Sequence, residues 1–337
     1  MVYKIKKVVH IFFLIGIVST FIMLSLLPNT SFGRNRIITT LFMFVYSSLY
    51  FFIIQYGLTV DSSFKIPLFF VALILILYLS TVDRYINLKL DLDMLFKIVL
   101  FIMIPIVLCF SFPTANNQFH LIDILIITFV FGINQSRFSK ATMLYQENTI
   151  EFYGSSTTAH LLILFIFLGY RKININPFFI NKIDAWGLTL VVTFLCCFFA
   201  ILIGVKLNYL SFNFKKAKTK TLLILTIFNF FHIAIAEEII YRGFVYNYLR
   251  QFIGGGDWIP LVLTTLLFGC HHISFGGKRM FVLSAIAGFF YGLIYMLTGS
   301  LLDSAIIHTI TNIVWRLFIV IKSDESSVVR FNVEAQK

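Results

Sequence analysis

Three short polar islands interrupt an otherwise apolar sequence between residues 221 and 320. The first, "AEEIIYRGF", sets Glu237 and Glu238 directly after the run "TLLILTIFNFFHIAIA" and puts Arg242 four residues beyond Glu238. The second, "FGCHH", brings His271 and His272 to the end of another apolar segment. The third, "HTITN", spaces His308 and Asn312 four residues apart, so that on a helix they share one face, about 40° apart. A charged side chain at membrane depth costs about 2.5 kcal/mol or more, which makes such residues rare and usually functional.

These residue types suit hydrolysis. Cleaving a peptide bond needs an activated water and a donor for the tetrahedral oxyanion. A carboxylate or an imidazole can take the proton of the water. A His–Asn pair on one face can donate to the oxyanion, usually the largest catalytic contribution. Each island also has a purely structural explanation. Glu238 and Arg242 form an i,i+4 pair in the favourable order and could simply neutralise each other. That does not explain Glu237, whose i+4 neighbour is Tyr241. His308 alone could be an interhelical hydrogen bond, since His and Asn often join membrane helices. His271 reads as a bystander beside His272. No structural explanation covers the whole set.

The elements that must position these groups are transmembrane helices. The 337 residues are 59% hydrophobic and 12% charged, with 41 phenylalanines, whereas soluble proteins carry about 25% charged residues. The composition implies an all-α, polytopic helical bundle. Its net charge of +12 does not indicate a nucleic-acid partner, because the basic residues fall between apolar runs, as the positive-inside rule expects. At about 20 residues per span, candidates are 8–27, 37–56, 66–82, 94–112, 154–170, 185–205, 221–241, 258–273, 281–298 and 304–321. The N-terminal run lacks a signal-peptide cleavage pattern and is taken as the first span. Residues 121–132 are short and contain Asp123; they could be a half-span, an interfacial helix or a true span. Leaving them out gives ten spans, within a range of eight to twelve. With the N-terminus cytoplasmic, sixteen Lys and Arg residues then lie inside against eight outside, "KKAKTK" (215–220) being the strongest anchor. The four cysteines all sit in apolar runs and read as buried small hydrophobes without disulfide or zinc spacing.

Polar chemistry divides the chain where composition does not: residues 1–220 as motif-free membrane helices, 221–322 as a catalytic membrane domain, and 323–337 as a polar tail. Depth arithmetic raises a difficulty within the second part. If 221–241 and 258–273 are full antiparallel spans, Glu237 and His272 end about 20 Å apart at 1.5 Å per residue. The span carrying His272 must therefore be short, tilted or started deep, around a polar, water-filled intramembrane cavity. Ser284, Gly288 and Gly292 form a small-xxx-small stripe that lets helices approach closely.

The three islands, read as Glu237-Glu238-x-x-x-Arg242, Phe268-x-x-x-His272 and His308-x-x-x-Asn312, together resemble the CPBP family of intramembrane endopeptidases. This Abi-like group contains the type II CAAX prenyl proteases and bacteriocin-processing or self-immunity proteins. The flanking "RGF" (242–244) and "TGSLLDSAIIH" (298–308) are similar to it as well. The resemblance implies that Glu237 and His272 position and deprotonate water, that His308 and Asn312 stabilise the oxyanion, and that Glu238 and Arg242 hold the site together. It leaves a metal open. Glu237, His272 and His308 could supply a three-ligand zinc site with an open position, but no HExxH occurs, and no cofactor is expected with certainty.

The expected protein is thus a multi-pass enzyme of a bacterial cell membrane, acting on a peptide or membrane-protein substrate such as a bacteriocin or pheromone precursor. The lipid bilayer is its other partner. The alternative is a non-catalytic immunity or regulatory scaffold of the same fold, which would not need Glu237, His272, His308 and Asn312 together. A transporter would place half-helices in both halves of the chain, and the polar groups here are confined to one.

Overall fold

The computed structural model describes residues 36–59, 66–87, 92–113, 120–134, 143–147, 150–173, 175, 185–212, 219–254, 256–273 and 277–321. The expected span at 8–27 and the polar tail at 323–337 lie outside these residues. Ten helical rods run through the described part. In chain order they are α1 (Arg36–Thr59), α2 (Leu68–Asn87), α3 (Leu92–Ser111), α4 (Leu121–Asn134), α5 (Gly154–Leu164, continued by π-helical Phe165–Tyr170) and α6 (Trp186–Lys206). The seventh is one long rod, 219–253, followed by α8 (Trp258–Cys270), α9 (Gly277–Thr298) and α10 (Leu301–Phe318). The protein is an integral membrane helical bundle. By length and composition alone, α3, α6 and α9 are long and apolar enough to cross a membrane, and six further helices are shorter apolar stretches. Large apolar side chains such as Phe69, Phe70, Phe194 and Leu190 point outward, as a lipid-facing surface requires.

The bundle departs from a purely helical plan in two places. Strands β1 (Met143–Glu147) and β2 (Ile150–Tyr153) form an antiparallel hairpin between α4 and α5. Strands β3 (Leu210–Phe212) and β4 (Ile319–Ile321) pair where α6 and α10 end. Both lie at helix ends, where a strand pairs backbone groups that a helix terminus leaves over.

The segment left out of the ten-span count is a full member of the bundle. Asp123, in the first turn of α4, accepts a hydrogen bond from Arg171 at 3.1 Å and one from the backbone N–H of His120 at 2.8 Å. Arg171 also donates to the carbonyl of Phe112 at 2.9 Å. This buried pair neutralises a carboxylate that would otherwise be costly at depth, so α4 can pass through the bundle despite its charge. The consequence is a change of sidedness. Lys172 Nζ reaches Tyr56 at 2.5 Å, and the Ile66 N–H donates to Gly169 O. Residues 56, 66, 112, 121 and 171 therefore share one end, whereas the ten-span arrangement separates 171 from 56, 66 and 112. Phe244 packs on Phe167, with ring centroids 5.1 Å apart, which carries the end of the long rod to the same side. We predict that Ser111→Cys and Arg250→Cys, in a cysteine-free background, react with an impermeant maleimide from the same side, and Lys278→Cys from the other. Ser111→Cys labelling together with Lys278→Cys, apart from Arg250→Cys, would restore the ten-crossing arrangement.

The rod 219–253 explains the depth difficulty. The apolar run stops at Ala236, but the helix does not. It continues as π-helix at Asn229–Ala234, α-helix at Ile235–Glu238, π-helix at Ile239–Tyr246 and α-helix at Asn247–Ile253. Glu237 thus sits in the middle of a long rod rather than near its outer end. The partner helix α8 has only 13 residues, so its C-terminal His272 comes to rest inside the bundle. Of the short, tilted or deep-starting helix expected here, the chain adopts a short one.

Candidate active site

The two adjacent glutamates sit on a single α-turn between two π-helical stretches, a distortion that often marks functional positions. Their surroundings differ sharply. The Glu238 side chain is fully buried, and the Arg242 Nη1 lies 3.0 Å from its oxygens. Ser304 Oγ donates to Oε2 at 2.5 Å, and His308 Nδ1 sits 2.8 Å from Oε1. A carboxylate can only accept, so Nδ1 of His308 carries the proton. Glu238 is therefore the hub that joins the rod 219–253 to α10.

Arg242 is buried with it. Its Nη2 donates to the carbonyl of Gly288 at 2.6 Å, tying in α9. Its guanidinium lies 5.2 Å from the ring centroid of Phe268, 5.6 Å from Tyr291 and 5.9 Å from Tyr241. These aromatic faces stabilise a desolvated cation. The i,i+4 pairing expected for Glu238 and Arg242 is thus formed and extended into a network over three rods.

Glu237 is different. Its side chain is 14% exposed, and its Oε2 is enclosed with no hydrogen-bond partner among the described residues. The nearest polar atom recorded for it is His308 Nε2, at 3.8 Å, too long for a direct hydrogen bond. His308 thus points Nδ1 at one glutamate and Nε2 at the other. Its ring is stacked on Tyr291, 4.5 Å away at 16°.

His272 follows α8 and bonds its Nδ1 to the carbonyl of Phe268 at 2.8 Å. A carbonyl accepts, so the proton is on Nδ1 and the lone pair of the neutral ring is on Nε2. Phe268 separates the two histidines, 4.5 Å from His272 and 5.9 Å from His308. Asn312 stands one turn beyond His308, half-buried, and its side-chain amide makes no hydrogen bond among the described residues. The structure therefore gathers Glu237, Glu238, Arg242, His272 and His308 around Phe268 and Tyr291, with Asn312 one turn further along α10.

His271 is not a bystander. Its Nδ1 lies 2.5 Å from the Tyr241 hydroxyl, and its ring packs on Phe131 of α4 at 5.2 Å. Ser304 and Tyr291 were not singled out from the sequence. Ser304 stands four residues before His308, hence on the same helix face, which is the one sequence signal that could have found it. Tyr291 carries no such signal.

The close approach of α8 and α9 holds Phe268 in place, and here the small-residue stripe acts. A methyl group at Gly288 would meet the Phe268 ring at 2.9 Å, and one at Gly292 would meet the tip of Leu261 at 2.4 Å. A leucine tip can swing aside. The Phe268 ring cannot move without disturbing both histidines and Arg242. We therefore expect Gly288→Ala to reduce turnover about tenfold or more and Gly292→Ala to reduce it little, measured on monodisperse protein. Equal effects would remove the special role given to Phe268.

The zinc alternative can be tested on the same geometry. Glu237 and His308 are 3.8 Å apart, within a small side-chain adjustment of the ~3.3 Å between two ligands of one tetrahedral zinc, so the test falls on whether a third ligand joins them. Among the described residues, no three of His, Cys, Asp and Glu converge as a metal-binding group. The three expected ligands do not fit a metal in this arrangement, and no step below runs through one.

Residues 219–314 match the family model described as Type II CAAX prenyl endopeptidase Rce1-like. No curated protein and no solved structure matches the chain. The matched stretch begins with the rod that carries Glu237 and Glu238 and closes just beyond Asn312. The stretch that builds this site, residues 219–314, is thus similar to the Rce1-like type II CAAX prenyl endopeptidases.

Proposed function

We propose that this protein is an intramembrane endopeptidase that cleaves a peptide or small protein at the membrane, with Glu237 as the group that handles water. The observation that carries this reading is the contrast between two neighbouring carboxylates. Glu238 is saturated by Arg242, Ser304 and His308, whereas Glu237 keeps an oxygen without a partner beside His308 Nε2. A purely structural role would not require the second carboxylate to be held open.

In this mechanism a water bound between Glu237 and His272 Nε2 loses a proton to one of them and attacks the peptide carbonyl carbon. The carbonyl oxygen becomes the oxyanion and is met by the Asn312 amide and by His308 in its protonated form, whose Nδ1–H is fixed by Glu238. Collapse of the intermediate breaks the C–N bond as the stored proton passes to the departing amine. Arg242 keeps Glu238 ionised, so the Glu238–His308 bond persists through the cycle. The division of roles resembles that of a triad, in which a buried carboxylate orients the imidazole without taking its proton.

The Lys206, Lys278 and Arg279 end of the bundle is opposite the Arg171 end, and the positive-inside rule places the former in the cytoplasm. A secreted peptide, pheromone or bacteriocin precursor in a bacterial membrane fits this setting. The N-terminus, expected to be cytoplasmic, belongs to residues outside the described part.

The two histidines test the assignment. His272→Ala is expected to abolish cleavage of membrane peptides by the purified protein in vesicles and to leave folded yield near normal. His271→Ala should do the reverse, because it strands the buried Tyr241 hydroxyl, at about 1–3 kcal/mol, without removing the group that meets water. Equal loss of specific activity in the two variants would contradict the assignment of His272. Undiminished activity in His272→Ala would remove His272 from the catalytic machinery, and absence of cleavage by the unmodified protein would favour the scaffold alternative.

A further inference from the structure

Arg242 neutralises Glu238 without telling its two oxygens apart. Arg242 Nη1 lies 3.0 Å from Oε1 and 3.0 Å from Oε2, so it straddles the carboxylate and leaves its rotation open. The rotation is fixed from α10. Ser304 Oγ donates to Oε2 at 2.5 Å, and His308 Nδ1 meets Oε1 at 2.8 Å. The serine and the histidine are four residues apart, hence on one helix face, and together they grip both oxygens of a fully buried side chain.

Ser304 departs from the habit of the other two hydroxyls on its helix. Thr309 and Thr311 donate to the carbonyls of Ala305 and Ile307, one turn back, as hydroxyls inside helices commonly do. Ser304 reaches out of α10 instead, to Glu238 on the long rod and to the carbonyl of Tyr291 on α9 at 2.8 Å. It has one proton for these two acceptors. As the charged and nearer one, the carboxylate takes the larger share, while the carbonyl keeps the hydroxyl between the two rods. The Tyr291 ring is itself stacked on His308, 4.5 Å away at 16°. The residue that anchors Ser304 therefore also sets the plane of the imidazole.

We propose that Ser304 is a positioning residue: by holding Oε2 it turns Oε1 to His308 Nδ1, and so aims His308 Nε2 to the side where Glu237 lies, 3.8 Å away. Without the serine the carboxylate can turn against the arginine, and the imidazole loses its bearing. This inference rests on the endopeptidase reading, in which His308 meets the oxyanion, but its test separates the two. A group that fixes orientation acts on the chemical step more than on substrate binding.

The experiment uses the full chain in vesicles, with Ser304→Ala, Ser304→Cys and Ser304→Thr. Two readouts are taken: cleavage of reconstituted membrane peptides per folded protein, and the NMR signal of His308 Nδ1 in protein carrying nitrogen-labelled histidine, assigned by its absence from His308→Asn. Ser304→Ala is expected to move that signal and to lower kcat about tenfold, with KM changed less than twofold. Ser304→Thr, which keeps the hydroxyl, should restore both. Ser304→Cys keeps the volume with a weaker donor; it should fall between them, and it decides the matter where the alanine variant folds poorly. An unmoved signal in Ser304→Ala and Ser304→Cys, or a kcat within twofold of the unmodified protein, would overturn the proposal and leave Ser304 a structural residue. Absence of cleavage by the unmodified protein would overturn the endopeptidase reading, and the signal would still decide whether Ser304 orients the Glu238–His308 pair.

Discussion

Arg242→Ala is expected to reduce the yield of folded, monodisperse protein severely, and not merely its activity. The change leaves the fully buried Glu238 carboxylate facing only neutral donors and His308, and it removes the side-chain donor to the Gly288 carbonyl. Breaking a buried ion pair from one side costs about 3–5 kcal/mol, a large share of a typical domain's stability of about 5–15 kcal/mol. The double variant Glu238→Gln with Arg242→Met should recover part of that yield. No orphaned charge remains, the glutamine oxygen can still accept from His308 while its NH2 donates to Ser304, whose hydroxyl can turn to the Tyr291 carbonyl, and a methionine can occupy the space among Phe268, Tyr291 and Tyr241. Activity should not return with yield, because Glu238 no longer fixes a charged His308. Size-exclusion profiles after detergent extraction would read both. Normal yield in Arg242→Ala would mean that the arginine serves substrate or oxyanion and that the network around Glu238 stands without it.

Glu237→Gln is expected to behave in the opposite way. The side chain is partly exposed and makes no hydrogen bond that the amide would break, so yield and melting behaviour should match those of the unmodified protein. Cleavage should fall at least 100-fold, at the low end of what a general base contributes. The adjacent substitutions thus separate by phenotype. Changes at residues 238 and 242 act through folding, and the change at 237 acts through chemistry.

Much of this site was legible in the sequence because charge inside an apolar run has few explanations. Glu238 and Arg242 advertised their pairing by an i,i+4 spacing, and His308 and Asn312 their shared face by the same spacing. What stayed hidden depends on contacts between distant segments. Ser304 is an ordinary serine until α10 is laid against Glu238. His271 looked idle because its partner, Tyr241, lies 30 residues away.

The errors at the level of the fold have a common physical origin. Hydropathy reports where a chain meets lipid, not where a helix stops. The rod 219–253 continues for 17 residues past Ala236 because Glu238 and Arg242 face the bundle interior, where partners satisfy them. The same reasoning applies to α4. Asp123 made 121–132 look unfit to cross, but Arg171, 48 residues later, supplies the compensating charge. A basic residue at the end of the next apolar run was the available clue. The β3–β4 pairing joins segments more than a hundred residues apart, beyond the reach of any local pattern.

The central claim is that Glu237, set apart from its saturated neighbour, activates water for peptide-bond cleavage in the membrane. Its most direct test is to co-reconstitute the purified chain with membrane peptides from a host lacking it and to sequence every new N-terminus over time. The account predicts discrete new N-termini with the unmodified protein and none above background with Glu237→Gln at equal folded content. Identical sets of peptides from the two proteins would contradict it.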